Sequence, residues 1–347
     1  MGRIKKISLL CALSLSIGAC TQLGSNQVET QRNSYTDVIA LSDKQELLSN
    51  IVRAKYNDPP VFLQIKTITV APSIRFASNA NLSYDTRESG LGTSIGPSIE
   101  YKDEPRIILS PLEGAEFANE LLLPTGLMPV YLMLINGFSF DKIADLMLIS
   151  VNDISNRRSA SLEERKKFRQ TVQLIQSLID QGVLYVTVSA QSVKDGISNL
   201  NVKVKNDQGL HPELLVLMQL LDIKIENGDI PISIGQEAGV NKINVHTRSL
   251  LSVINYLSNY VDVPEMDKSK VWPVDFSNET QRPIHVRTSD GEPTNADVAI
   301  NHRGQWFYID ETDIDSQNAL YLLRVMFDLQ AERNENSSNL LLTLPVQ

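Results

Sequence analysis

The chain has 347 residues, an acidic balance of 41 Asp and Glu against 32 Lys and Arg, and 42% hydrophobic residues. Its net charge of −9 argues against a protein that tracks nucleic-acid phosphates or adheres electrostatically to an anionic lipid surface. The length suffices for one large core or two ordinary ones, and two cysteines, Cys11 and Cys20, are too few for a disulfide framework or a cysteine-built metal centre.

The first element in chain order is a charged start, Arg3, Lys5 and Lys6, followed by an apolar stretch over residues 7–19 that is too short to cross a bilayer. Ile17-Gly18-Ala19-Cys20 closes it with small residues before a cysteine. This arrangement resembles the export signal of bacterial lipoproteins. The resemblance implies a signal peptide over residues 1–19, a diacylglycerol on the Cys20 sulfur, cleavage before Cys20 and acylation of the new N-terminus. Cleavage would leave 328 of the 347 residues and remove Cys11. The loss of Arg3, Lys5 and Lys6 would move the net charge from −9 to −12. Several acyl chains would then hold the protein on a membrane permanently without a span. Thr21, standing where an Asp marks retention at the inner membrane in that class, implies passage to the outer membrane, with the leaflet left open. The globular part resembles uncharacterised Gram-negative outer-membrane lipoproteins, a resemblance that carries no activity with it.

Residues 21–34 are polar without an apolar period and predict a flexible tether, making 20–34 the lipidated linker. Val38, Ile39, Leu41, Leu47, Leu48, Ile51 and Val52 recur at helical spacing until Asn57-Asp58-Pro59-Pro60, which ends the helix near Tyr56. From residue 61 to 109 the period changes to two. Ile74, Phe76, Ala80, Leu82 and Tyr84 alternate with polar residues, as do Ile95, Ile99 and Tyr101, with Gly90 and Gly92 between the two runs. A long β-hairpin is predicted, its loop over residues 86–93.

Residues 112–184 read as helices broken at Pro124, Pro129, Gly137 and Gly182. The charge-free run 121–140 has the length of a membrane span, but its prolines, glycines and Asn136 favour a buried pair of short helices. Ser139 or Asp141 would cap a helix over 142–151, and 163–179 is an amphipathic helix with Phe168, Val172, Ile175 and Ile179 inward. Beyond Gly182 the pattern is mixed, with strands at 183–188 and 201–204, a helix at 212–221 and a hairpin from 230–234 and 242–245. A helix capped by Thr247 runs to Tyr260, short strands follow at 284–287, 297–301 and 305–309, and a last helix spans 316–331. The expected class is α+β: an N-terminal helix and long hairpin, a central helical region and a C-terminal mixed region. The globular part would divide into domains at 35–188 and 189–347, with the boundary between Ser189 and Asn206.

Several constellations invite a chemical reading. Gly92-Thr93-Ser94-Ile95-Gly96 matches the G-x-S-x-G nucleophile elbow, but it leads into Pro97 and an alternating strand, so hairpin-tip glycine is the better reading. Ser139-Phe140-Asp141-Lys142 matches S-x-x-K without any Lys-Thr-Gly, and a helix cap explains its serine. His211, His246, His285 and His302 lack the spacing of a helical metal pair. Asp310, Glu311, Asp313 and Asp315 lack the glycine and spacing of a calcium loop and suit a helix start. Arg157, Arg158, Arg165, Lys166, Lys167 and Arg169 form the one local basic concentration, read as a solvated helix face.

No catalytic set, metal site or cofactor site is therefore assigned. The expected function is that of a non-catalytic outer-membrane lipoprotein, a structural or assembly component of an envelope complex joined to the membrane by lipid on Cys20. Its partners would be copies of itself or other envelope proteins, met through an assembly surface at Phe76, Leu82, Tyr84, Ile99 and Tyr101. The alternative is a periplasmic hydrolase acting on cell-wall or lipid material through Ser94, Ser139 or the histidines.

Overall fold

The computed structural model describes residues 23–69, 73–85, 90–102, 106–188, 200–205, 211–224, 229–235, 242–272 and 281–331. The fold is α+β, and the chain forms two compact units, Met1–Pro60 with Asn119–Gln330, and Val61–Ala118 with Ala331–Gln347.

The first unit opens with α1 (Leu23–Lys55). The helix begins inside the stretch expected to be a flexible tether. No Pro or Gly lies between Ser25 and Lys55, so helix nucleated by the buried turn around Leu47, Leu48, Ile51 and Val52 propagates backward one residue at a time at little cost. It stops where predicted: Asn57 takes a left-handed φ of 59° ahead of Pro59-Pro60.

The chain then builds the second unit from β1 (Leu63–Thr69), β2 (Ser73–Asp85), β3 (Gly90–Lys102) and β4 (Arg106–Pro111), and leaves it through α2 (Ala115–Leu122). At its base the Leu112 N–H donates to the Phe62 carbonyl at 2.9 Å, and buried Phe62 meets Phe117 edge-on at 5.6 Å.

Back in the first unit follow α3 (Leu127–Ile135), α4 (Phe140–Met147), β5 (Leu148–Val151), β6 (Ile154–Ser155), α5 (Leu162–Asp180), β7 (Leu184–Val188), β8 (Leu200–Val204), α6 (Pro212–Leu221), β9 (Asp229–Ile234) and β10 (Ile243–Thr247). The charge-free run is thus split between short helices, and among the described residues no helix is long and apolar enough to cross a membrane. The strands form one six-stranded sheet in the order β6-β5-β10-β9-β8-β7. Phe168, Val172 and Leu178 of α5 and Leu214, Leu217 and Leu221 of α6 pack with Val151, Leu184, Leu200, Ile230 and Val245 of the sheet to make its core. Helix α5 starts with a reciprocal Ser161–Glu164 capping box and ends at Gly182, whose φ of 66° favours glycine.

Four local expectations give way here. The division at residues 189–206 falls between β7 and β8, which pair in register, so the sheet joins what the composition separates. The expected hairpin at 230–245 is a parallel pair, Ile243 opposite Ile232. The helix expected to reach Val151 ends at Met147, because Leu148, Ser150 and Val151 pair with β10. Ser249, not Thr247, caps the next helix, accepting from the Ser252 N–H, while the Thr247 hydroxyl donates to the Thr125 carbonyl.

That helix is α7 (Leu250–Leu257), continued by a 3-10 turn, Ser258–Tyr260, with a second at Glu265–Lys270. β11 (Arg287–Ser289), β12 (Ala296–His302) and β13 (Gln305–Asp310) form an antiparallel sheet in the order β11-β13-β12, and α8 (Ile314–Ala331) closes the unit. Helix α1 lies against this sheet: Lys44 Nζ meets Asp297 at 2.8 Å and Gln45 Nε2 donates to the Ala299 carbonyl.

Candidate functional site

The predicted assembly residues lie on the second unit's ribbon. β2 and β3 pair antiparallel without interruption from Ser73↔Lys102 to Asp85↔Gly90, thirteen pairs in all. β1 and β4 pair from Leu63↔Pro111 to Thr69↔Arg106, with an irregularity between Ile65 and Thr67. Thr67↔Ile108 to Thr69↔Arg106 keep the antiparallel offset of Ser73↔Lys102, and the pairs from Leu63 to Ile65, beyond the irregularity, are shifted by one. The strands run closer to the tip than expected, since β3 begins at Gly90; residues 86–89 lie outside the described residues.

This register brings the two alternating runs onto one face. Ile74 stands opposite Tyr101, Phe76 opposite Ile99, Ala80 opposite Ile95, Leu82 opposite Thr93 and Tyr84 opposite Leu91. Arg75 and Glu100, Asn79 and Gly96, Asn81 and Ser94, and Ser83 and Gly92 share the other. Among the described residues β2 and β3 form a two-stranded sheet, so each presents an outer edge without a neighbouring strand. Nearer the base Ile107, Ile108 and Leu109 are successive residues of β4 and each is about half exposed, which places apolar surface on both faces there.

The remaining predicted sites are dispersed. Cys20 lies outside the described residues. Gly92-Thr93-Ser94-Ile95-Gly96 is interior to β3, not at the hairpin tip, and no strand-to-helix turn is present to make an elbow. Ser139 precedes α4 and bonds Asp141, while Lys142 pairs with Asp315 at 2.8 Å. Arg165 and Arg169 turn away from the basic concentration, to the Ala160 carbonyl and the Tyr260 hydroxyl, so no continuous basic face forms. Asp313 accepts from the Ser316 N–H at the start of α8, and Asp310 accepts from Thr312 and from Arg287. The acidic run caps a helix and pairs a cation.

The four histidines occupy four separate settings. His211 precedes α6, His246 Nδ1 lies 3.1 Å from Ser150 Oγ on the neighbouring strand, His285 Nε2 lies 2.9 Å from Asp262, and His302 faces Asp58 at 3.4 Å. Among the described residues no three His, Cys, Asp or Glu converge as metal ligands. The Ser150–His246 pair has the first two members of a hydrolytic set, yet no carboxylate bonds His246 among the described residues, and neither side chain lines either of the two cavities described below.

Sequence reasoning missed a polar cleft of about 350 Å³ in the first unit, with Asp145, Arg169, Gln173, Arg282, His285 and Asp315 on its walls. Behind it lies a buried network. Arg248 donates to the carbonyls of Asp145, Leu146 and Asn156 and lies 3.8 Å over the Tyr256 ring. Tyr256 donates to Asp145 at 3.0 Å and accepts from Tyr260. Burial is the main reason that the Tyr256 phenol is pushed well above its usual range, with Asp145 adding to it. The cleft alternates positive and negative groups and holds no hydroxyl on its histidine, since Ser316 Oγ bonds the main-chain N–H of His285. A second cavity, about 70 Å³ within the core between sheet and helices, is lined by apolar side chains and Tyr131. Tyr131 apart, it offers no group to orient a polar ligand.

No protein-family model matches the chain, and no curated protein or solved structure matches it either.

Proposed function

We propose that this protein is a non-catalytic lipoprotein of the outer membrane, anchored through Cys20, whose work is assembly: its long ribbon joins copies of the chain, or the chain and other envelope proteins, into a complex. The observation that carries the reading is the thirteen-pair hairpin with one apolar face and, among the described residues, no strand beside either edge. An isolated two-stranded ribbon in water is marginal, and long open edges recruit further strands. The filled lipobox Ile17-Gly18-Ala19-Cys20 supports the anchor.

Chemical cross-linking in the native envelope, followed by mass determination of the detergent-extracted protein, tests this. Species of several chains, or a fixed hetero-complex, are expected, and a protein extracted only at the mass of one chain contradicts the proposal. The Ser150–His246 contact is the one observation favouring a hydrolase. Covalent labelling by a fluorophosphonate probe that disappears in Ser150→Ala would establish that alternative; the assembly reading predicts no labelling.

A further inference from the structure

We infer that the β2–β3 hairpin enters the outer membrane and that hairpins from several copies of this chain close into one transmembrane β-barrel with a water-filled lumen. The inference rests on the assembly reading and names its partner: a second copy at each edge and lipid on the apolar face.

Span length is the first argument. A strand crosses a bilayer with about 9–11 residues tilted by roughly 45°. The paired arms have thirteen residues each, so both cross with little to spare. The second is the distribution of charge. The apolar-face register positions are Ile74, Phe76, Ser78, Ala80, Leu82 and Tyr84 on one arm, opposed by Tyr101, Ile99, Pro97, Ile95, Thr93 and Leu91 on the other. None of the twelve is charged. A ribbon face that only meets water or a polar protein surface has no need of such a run, whereas lipid penalises a midplane Lys or Arg by about 2–4 kcal/mol.

The third argument is where the tyrosines fall. Tyr101 stands opposite Ile74, ten positions from Tyr84 along the same arm. That separation is about 34 Å along a strand and about 26 Å along a barrel axis at a tilt of about 40°. Membrane barrels carry aromatic residues at the borders of an apolar band about 25 Å tall, and Tyr84 and Tyr101 match those borders. The opposite face is small and polar from Ala77 to Ser83, with Ala77, Asn79, Asn81 and Ser83 against Ser98, Gly96, Ser94 and Gly92; Arg75, Glu100 and Lys102 stand at one end and Asp85 at the other. That composition suits a wet interior.

The edges identify the partner as another copy. Within hydrocarbon every N–H and C=O must be paired, which leaves a closed barrel as the only form for strands. One hairpin, with no strand beside either edge among the described residues, cannot close by itself. The edge of β2 from one copy against the edge of β3 from the next repeats head to tail until the ring closes.

The test uses the full lipidated protein in vesicles of phosphatidylethanolamine and phosphatidylglycerol. Single cysteines replace Ala80 and Leu82 on the apolar face and Asn79 and Asn81 on the polar face. Each is coupled to an environment-sensitive fluorophore, and the mass of the reconstituted species and the ionic current across a planar bilayer are recorded alongside. The expected result is an oligomer in which the labels at Ala80→Cys and Leu82→Cys are quenched several-fold more by nitroxide lipids than by iodide. Asn79→Cys and Asn81→Cys should show the reverse, and stepwise current should appear for the protein without substitutions. An oligomer that carries no current and shows the same iodide response at all four positions overturns the membrane barrel while leaving assembly standing. A single-chain species overturns both.

Discussion

The two units solve the problem of burying apolar surface in opposite ways. In the first, a six-stranded sheet is covered by α5 and α6, and Phe168, Val172, Leu178, Leu214 and Leu217 disappear from solvent. In the second, the hairpin has an apolar face and, among the described residues, no strand beside either edge, and Ile107, Ile108 and Leu109 at its base remain about half exposed. The first unit's core is closed by its own elements. On the proposed assembly reading, the ribbon's apolar residues serve contacts with other chains, and stability and assembly are then carried by separate parts of one chain. Substitutions in the first unit should therefore change melting and leave assembly intact, and substitutions on the ribbon should do the reverse.

The largest effect on stability is expected from Phe168→Ala, which removes a fully buried ring from the core at a cost of about 3–5 kcal/mol. Urea denaturation followed by circular dichroism measures it, and the oligomeric state below the transition should be unchanged. Arg248→Met keeps the bulk of the side chain but leaves the carbonyls of Asp145, Leu146 and Asn156 without their donor. A loss of about 3 kcal/mol is expected, since buried polar groups are costly to leave unpaired. Ser161→Ala opens the capping box of α5 and should cost about 1 kcal/mol by the same measurement.

The smallest effect is one of pH. His302 packs against Tyr56 and Phe307, and its burial lowers its pKa below the ordinary value of 6.5; Arg303 and Arg53 act in the same direction, against the opposing pull of Asp58. The unfolded chain then takes up a proton at higher pH than the folded one. The stabilisation is full above about 6.5 and declines as the pH falls from there toward the folded value. Melting temperature should drop on acidification through that window, and His302→Gln should flatten that part of the profile.

How much of this was legible depended on the distance over which each pattern is written. The hairpin could be read because alternation is local: Ile74 through Tyr84 shows its period within eleven residues, and the register only confirms that both arms share a face. Helices α5, α6 and α8 were legible for the same reason. The sheet was not, because nothing near β7 says that it ends a row beginning at β6, and the parallel pairing of β9 with β10 contradicts what their closeness in sequence suggests. The polar cleft escaped notice because Tyr256 and Asp145, in the network behind it, are 111 positions apart. The start of α1 was misread because a polar segment without an apolar stripe looks like coil, although it contains nothing that breaks a helix after Gly24.

The most direct test of the division between the units is the double substitution Phe76→Asp with Leu82→Asp, which places two charges on the apolar face of the ribbon. The native mass of the lipidated protein is measured in mild detergent, together with the thermal transition of the first unit. The account predicts a species reduced to one chain, with the far-ultraviolet spectrum and the transition temperature unchanged. An assembly of unaltered mass that carries both substitutions would contradict it.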